Sequence, residues 1–180
     1  MDDKLTPFIS AGRIQKRVAE LARKISIDYK SKRPVLVGVL KGSFVFLSDL
    51  SRWLSIPHEL DFLETESYGA STLSSGVVRL LKDLRVEITG RDVILVEDIV
   101  DSGLTLNYLE KTLLTRKPKS LAVTTLLERK TKKRVKVNIR YRGFWIGDGF
   151  VVGYGLDYNE KFRHLPHLAF LAKTLNKPEK

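Results

Sequence analysis

The chain has no cysteine and only 3 histidines among its 180 residues. Disulfides, thiolate metal sites and cysteine nucleophiles are thereby excluded. His58, His164 and His167 lack metal-ligand spacing, with no HExxH pattern, and read as structural or surface residues. Long apolar runs are also missing, so no segment reads as a membrane span. The amino terminus, MDDKLTPF, has no signal-peptide core, and the expected location is the cytoplasm. No repeat or linker divides the sequence, so one domain over residues 1–180 is expected, large enough for a proper core. Acid is scarce relative to base: 21 Asp and Glu against 32 Lys and Arg give a formal charge of +11. That balance favours polyanions, and it raises nucleic acid and a pyrophosphate-bearing small molecule together without choosing between them. The densest basic stretch, Arg129–Arg134, has no interleaved aromatics and reads as a solvated turn.

What is present is a regular alternation of apolar periods. Ile14, Val18, Leu21, Ala22 and Ile25 recur at helical spacing within 10–30. Pro34 precedes a strand at 35–40, and Phe44, Leu47, Leu50 and Leu54 mark a helix over 44–54. Residues 58–66 read as a strand ending in acids, and 77–84 as a returning strand. Between them 67–76 (SYGASTLSSG) is small and polar, the pattern of a mobile loop or hairpin tip. A strand at 93–96, a helix at about 104–116 stopped by Pro118, and a strand at 121–127 form a βαβ unit. Short strands are expected at 144–146 and 150–154, with a frayed tail over about 176–180. Strands alternating with helices predict an α/β fold, a largely parallel twisted sheet flanked by helices. Ligands in such sheets bind beyond the carboxyl ends of the strands. Lys41-Gly42, Glu97–Thr105 and Arg129-Lys130 all follow strands, which converges on one site.

The most informative segment is VILVEDIVDSGLT, Val93–Thr105. A buried strand leads to the carboxylates Glu97 and Asp98, then to Ile99-Val100, then to the small-residue loop Asp101-Ser102-Gly103-Leu104-Thr105 at a helix start. Backbone N–H groups and hydroxyls at a helix N-terminus suit a phosphate. Carboxylates do not; they suit sugar hydroxyls, or a metal shared with other oxygens. A phosphorylated sugar satisfies both halves. Taken without its flanks, Asp101 also reads as a helix cap.

This segment resembles the 5-phosphoribosyl-1-pyrophosphate (PRPP) signature of the type I phosphoribosyltransferases. Val35–Ser43 (VLVGVLKGS) and Gly149–Pro166 (GFVVGYGLDYNEKFRHLP) narrow the resemblance to the hypoxanthine-guanine phosphoribosyltransferases. The resemblance implies the same core, with a small hood built from the chain's extremities and the 144–170 region. It implies that Glu97 and Asp98 meet the ribose hydroxyls directly or through Mg²⁺. Ser102, Gly103, Leu104 and Thr105 would hold the 5′-phosphate, and Asp101 would be the catalytic proton acceptor near N7 of the purine. Lys41-Gly42 and Arg163 would bind pyrophosphate, the former often through a cis peptide. Phe150 would stack on the base, and the Val151 backbone would read its edge. Asp157 would lie near metal and base, completing a metal set of Glu97, Asp98 and Asp157. Ser67 and Tyr68 would open a lid over 67–76.

The family usually places a lysine after the strand at 121–127 to donate to the purine 6-oxo group. Here that position is Arg129, followed by Lys130. Lys130 is slightly favoured, since a compact ammonium suits a single oxygen.

The implied activity is purine salvage, converting hypoxanthine or guanine plus PRPP to IMP or GMP plus pyrophosphate, in a homodimer or homotetramer. Two alternatives stay open: a PRPP-sensing, nucleic-acid-binding regulator of the same fold, and a phosphoribosyltransferase for another base such as adenine, uracil or xanthine.

Overall fold

The branched apolar runs of this sequence set its layers, as a computed structural model describing residues 4–67, 78–130 and 135–172 shows. In chain order the elements are β1 (Leu5–Ile9), α1 (Ala11–Asp28), β2 (Val35–Leu40), α2 (Phe44–Trp53), β3 (Glu59–Ser67) and β4 (Val78–Lys82). They continue with β5 (Asp92–Val100), α3 (Leu104–Leu114), β6 (Ser120–Arg129), β7 (Tyr141–Ile146), β8 (Phe150–Val152) and β9 (Leu168–Leu171). Six strands form one sheet in the order β4-β3-β2-β5-β6-β7. All neighbours pair in parallel except β4, which returns antiparallel on β3. The expected α/β architecture is the one observed.

Side chains alternate across a strand, and that divides the core in two. Ile94 and Val96 of β5 pack with Leu36 of β2 against Ile14, Val18, Leu21, Ala22 and Ile25 of α1 and Phe46, Leu47 and Leu50 of α2. Val93 and Leu95 pack with Val35 and Val37 of β2 against Leu106, Leu109 and Leu113 of α3. Buried on both faces, β2 and β5 have no need of polar alternation. Ser10 caps α1, its Oγ accepting from the Arg13 N–H at 3.4 Å.

The hood is a second sheet of three strands, β1-β9-β8, all antiparallel. It draws on the start of the chain and on residues 150–171, much as the resemblance implied, with one correction. The segment at 144–146 belongs to β7, the parallel edge of the main sheet, and not to the hood.

Strand ends also move. β5 runs to Val100 and so contains Glu97 and Asp98, and β6 runs to Arg129. The pairing Glu97↔Thr125, Ile99↔Leu127 and Arg129↔Ile146 extends both strands past their most apolar residues. The loop expected at 67–76 lies, beyond Ser67, outside the described residues, as do 131–134 of the basic stretch and the tail.

Candidate active site

Strand order reverses between β2 and β5: the chain moves from β2 outward to β3, then returns to lay β5 on the other side of β2. That switch leaves a crevice beyond the carboxyl ends of both strands. A cleft of about 470 Å³ opens there, lined among others by Lys41, Gly42, Asp98, Asp101, Arg129, Phe150, Val151, Asp157 and Arg163. A smaller cavity of about 90 Å³ adjoins it, lined by Glu97, Asp101, Ser102, Gly103 and Thr105.

The adjacent acids part company for a reason set by strand geometry. Glu97 continues the face of Val93 and Leu95 and enters the smaller cavity beside the start of α3, whereas Asp98 continues the face of Ile94 and Val96 and enters the main cleft. Burial pushes the Glu97 carboxyl well above its usual range, and neighbouring Asp98 adds to the rise. Burial likewise raises Asp98, to about 6, against hydrogen bonds from backbone N–H groups that favour its charge. Asp98 Oδ1 accepts from the Ile99 N–H at 2.8 Å.

The loop after β5 turns into α3 through Gly103, whose φ of 82° is left-handed and suits glycine. Gly103 is the N-cap of α3, without a side-chain capping bond. Asp101 therefore does not cap this helix. It turns to Arg129, whose Nε lies 3.0 Å from Asp101 Oδ1. Within the loop, Ser102 Oγ accepts from the Leu104 N–H at 3.3 Å, so Leu104 contributes its backbone to loop shape while its side chain lines neither cavity.

Arg129 is 5% exposed and is held on three sides. It donates through Nη1 to the Gly147 carbonyl and through Nη2 to the Gly149 carbonyl at 3.0 Å. Its Nε faces Asp101 as an ion pair, too poorly aligned to count as a hydrogen bond. Lys130 is exposed, its ammonium 5.9 Å over the Trp145 ring, and it does not line the cleft. The preference for Lys130 is thus corrected: β6 continues through 129, and alternation sends that side chain inward and the next one out.

Across the cleft, the Leu40–Lys41 peptide is cis. A Cβ on Gly42 would land on the Asp98 carboxylate, so only glycine lets that turn approach β5. Lys41 Nζ lies 3.1 Å from Glu160 Oε1. Arg163 donates through Nη1 to the Gly155 carbonyl at 2.8 Å and pairs through Nη2 with Asp157 Oδ1 at 2.8 Å. Phe150 opens β8, exposed and lining the cleft, its ring at 77° to that of Tyr158 with centroids 5.4 Å apart; Val151 behind it is buried.

The sequence-derived residues therefore assemble, with exceptions. Among the described residues no three Asp, Glu, His or Cys side chains close on one point; Glu97 lines the smaller cavity, while Asp98 and Asp157 line the main cleft. Ser67 is placed only as the last residue of β3, and Tyr68 lies outside the described residues. Sequence reasoning missed Glu64, Thr65, Glu66 and Leu81, which the β3–β4 hairpin brings to the cleft wall. Their signal was present in the acids at the carboxyl end of a strand. His58 bridges Ser51 Oγ and the Ile56 carbonyl, each at 2.8 Å, a structural role as expected. None of the described helices is long and apolar enough to cross a membrane.

Known proteins place this site in context. Residues 10–159 match the model of the phosphoribosyl transferase domain. The chain is 51% identical over 168 residues to the hypoxanthine-guanine phosphoribosyltransferase of Dictyostelium discoideum, covering 91% of this chain and 93% of that protein. It is 44% identical to the Bacillus subtilis hypoxanthine-guanine phosphoribosyltransferase, over 91% of both. A crystal structure of a hypoxanthine-guanine phosphoribosyltransferase from Bacillus anthracis superposes with a TM-score of 0.90 at 44% identity, covering 95% of this chain and 100% of that one. Fold, site and relatives agree: the chain belongs to the type I phosphoribosyltransferase family, among the hypoxanthine-guanine phosphoribosyltransferases.

Proposed function

We propose that the protein transfers the 5-phosphoribosyl group of PRPP to hypoxanthine or guanine, giving IMP or GMP plus pyrophosphate. The observation that carries this reading is one cleft in which an exposed aromatic face, a buried guanidinium, a catalytic-type carboxylate and two separated cations converge. Phe150 stacks on the purine, a contact worth on the order of 1–3 kcal/mol. The Val151 backbone reads the ring edge, and Arg129 donates to O6. The loop at Ser102–Thr105 and the first turn of α3 hold the 5′-phosphate in the smaller cavity, where Glu97 reaches the ribose hydroxyls. Lys41, the Gly42 turn and Arg163 hold pyrophosphate. As that group leaves C1 of the ribose, a cationic centre develops that nearby carboxylates favour, N9 captures it, and Asp101 takes up the proton that N7 releases.

Asp98 and Asp157 would hold Mg²⁺, a hard cation that takes carboxylate oxygens together with those of substrate and water. Burial first, and Asp157 in smaller part, make the Asp98 carboxylate costly to ionise, a cost that a bound cation would offset. When bound, Mg²⁺ neutralises the leaving pyrophosphate. We place the enzyme in the cytoplasm as a homodimer or homotetramer on the resemblance alone. The regulator of the same fold has no use for Asp101 and Phe150 on one cleft.

The deciding assay is PRPP-dependent conversion of hypoxanthine, guanine, xanthine, adenine and uracil, with Mg²⁺ supplied or chelated. Hypoxanthine and guanine should be consumed only when both PRPP and the metal are present. No conversion of either base, or full activity after chelation, overturns the corresponding part of the proposal. A second expectation concerns Gly42→Ala. The new methyl group must displace the Asp98 carboxylate or the turn that carries Lys41. Overpacking of this kind costs about 1–3 kcal/mol, so Tm should fall by roughly 2–12 °C and the KM for PRPP should rise. An unchanged KM would show that the turn does not bind the donor.

A further inference from the structure

Glu160 stands outside every role assigned above, yet it touches both cations of the pyrophosphate subsite. Its Oε1 lies 3.1 Å from Lys41 Nζ and its Oε2 lies 3.2 Å from Arg163 Nη2. Each carboxylate oxygen serves one cation, so one side chain spans two positive groups that come from two different segments of the chain. The backbone is arranged to deliver it there. Asn159 and Glu160 are both left-handed, with φ of 51° and 60°, a conformation that non-glycine residues adopt at a cost. The Tyr158↔Lys161 bridge closes the turn, and the Glu160 N–H donates to Asp157 Oδ2 at 2.8 Å.

We infer that Glu160 is a built-in stand-in for pyrophosphate: its carboxylate bridges Lys41 and Arg163 and must be displaced from both when PRPP or pyrophosphate enters. This rests on the reading of Lys41 and Arg163 as the pyrophosphate contacts. The chemistry of the exchange is simple. Two facing cations repel each other, and a carboxylate between them removes that repulsion. A pyrophosphate offers more charge and more oxygens to the same donors. The Lys41 pair is weak enough to give way, since its two side chains are 57% and 66% exposed and exposed ion pairs are screened by solvent; the Arg163 pair is longer, at 3.2 Å, with its carboxylate on the exposed side. Placed at the rim, the side chain can swing outward without disturbing the core.

The sign of the effect separates competition from structural support. If Glu160 merely braced the turn, its neutralisation would loosen Asp157 and Arg163 and weaken anion binding. A competitor behaves in the opposite way. Calorimetric titration of pyrophosphate with Mg²⁺ should therefore give a Kd about two- to fivefold tighter for Glu160→Gln than for the unaltered protein, the scale on which exposed ion pairs compete. The KM for PRPP should fall with it, while kcat stays level or drops as pyrophosphate leaves more slowly. Glu160→Asn, whose side chain tolerates the left-handed backbone, should tighten binding in the same direction and guards against a misfolded first variant. An unchanged or weaker Kd in both folded variants overturns the stand-in role alone. Failure of the unaltered protein to bind pyrophosphate or PRPP overturns the subsite and the stand-in together.

Discussion

Asp101→Asn is expected to lower kcat by ~10²–10⁴-fold, the usual cost of removing a general base, while the KM for PRPP stays near its original value. The split follows from where the side chain lies. Asp101 lines both cavities, past Glu97 and Asp98 in the chain and before the Ser102–Thr105 loop. Removing its charge leaves Asp98, Lys41, Arg163 and the start of α3 in place, so donor binding survives. A structural objection can be weighed in advance. Asp101 pairs with the buried guanidinium of Arg129, and stripping a partner from a buried charge costs about 3–5 kcal/mol when both groups are sequestered. Here Asp101 is 53% exposed, and Arg129 keeps the carbonyls of Gly147 and Gly149. Solvent screening at the carboxylate reduces the loss to about 1 kcal/mol or less, a Tm change of roughly 2–4 °C. Asn preserves the volume and keeps an oxygen beside the guanidinium of Arg129. A variant that is folded, binds PRPP and turns over slowly is the expected result; full turnover would remove Asp101 from the chemistry.

The sequence revealed this site unevenly, and strand geometry explains where it did and did not. Val93–Val96 announces a doubly buried strand because every residue is branched and apolar, and the loop that follows carries its chemistry in the residue types themselves. The extent of β5 was less legible. Glu97 and Asp98 end the apolar run, yet pairing with β6 carries the strand on to Val100. That extension is what sends Glu97 and Asp98 to opposite faces, and so into different cavities. The hood strands β1 and β9 went unread for a different reason. Each is 4 or 5 residues long, and they pair Leu5 with Leu171 and Thr6 with Phe170, a contact between chain ends that no local period encodes. Glu160 was passed over because its neighbours Asp157 and Arg163 already had roles, and only the left-handed turn brings its carboxylate back between them and Lys41.

The purine contact proposed for Arg129 carries an expectation that separates two adjacent cations. Arg129→Ala is expected to raise the KM for hypoxanthine by roughly 5- to 150-fold, the equivalent of about 1–3 kcal/mol for a hydrogen bond lost in a buried site. Lys130→Ala should change it by no more than about twofold, as for a surface substitution. Arg129 has five N–H donors. One faces Asp101 and two are taken by the Gly147 and Gly149 carbonyls, which leaves two on the terminal nitrogens for a ligand. Those carbonyls fix the planar fork, so its donors point into the cleft without further loss of side-chain freedom. Lys130 would have to leave the Trp145 ring and cross to the other face of β6 to reach the same oxygen. A fixed donor at this place also sets the class of base. A 6-oxopurine accepts from it, while the 6-amino group of adenine opposes donor to donor, so adenine should be a poor substrate. Arg129→Lys, with fewer donors and no fork, should keep the 6-oxopurine preference but bind hypoxanthine more weakly, since it cannot hold both carbonyls and the base at once. Because Arg129 also orients Asp101, its truncation should depress kcat as well as affinity, whereas Lys130→Ala should leave both untouched. Kinetics on hypoxanthine and adenine with the three variants settle the assignment: a large KM effect at Lys130, or adenine as the preferred base, would mean that the guanidinium of Arg129 does not read O6.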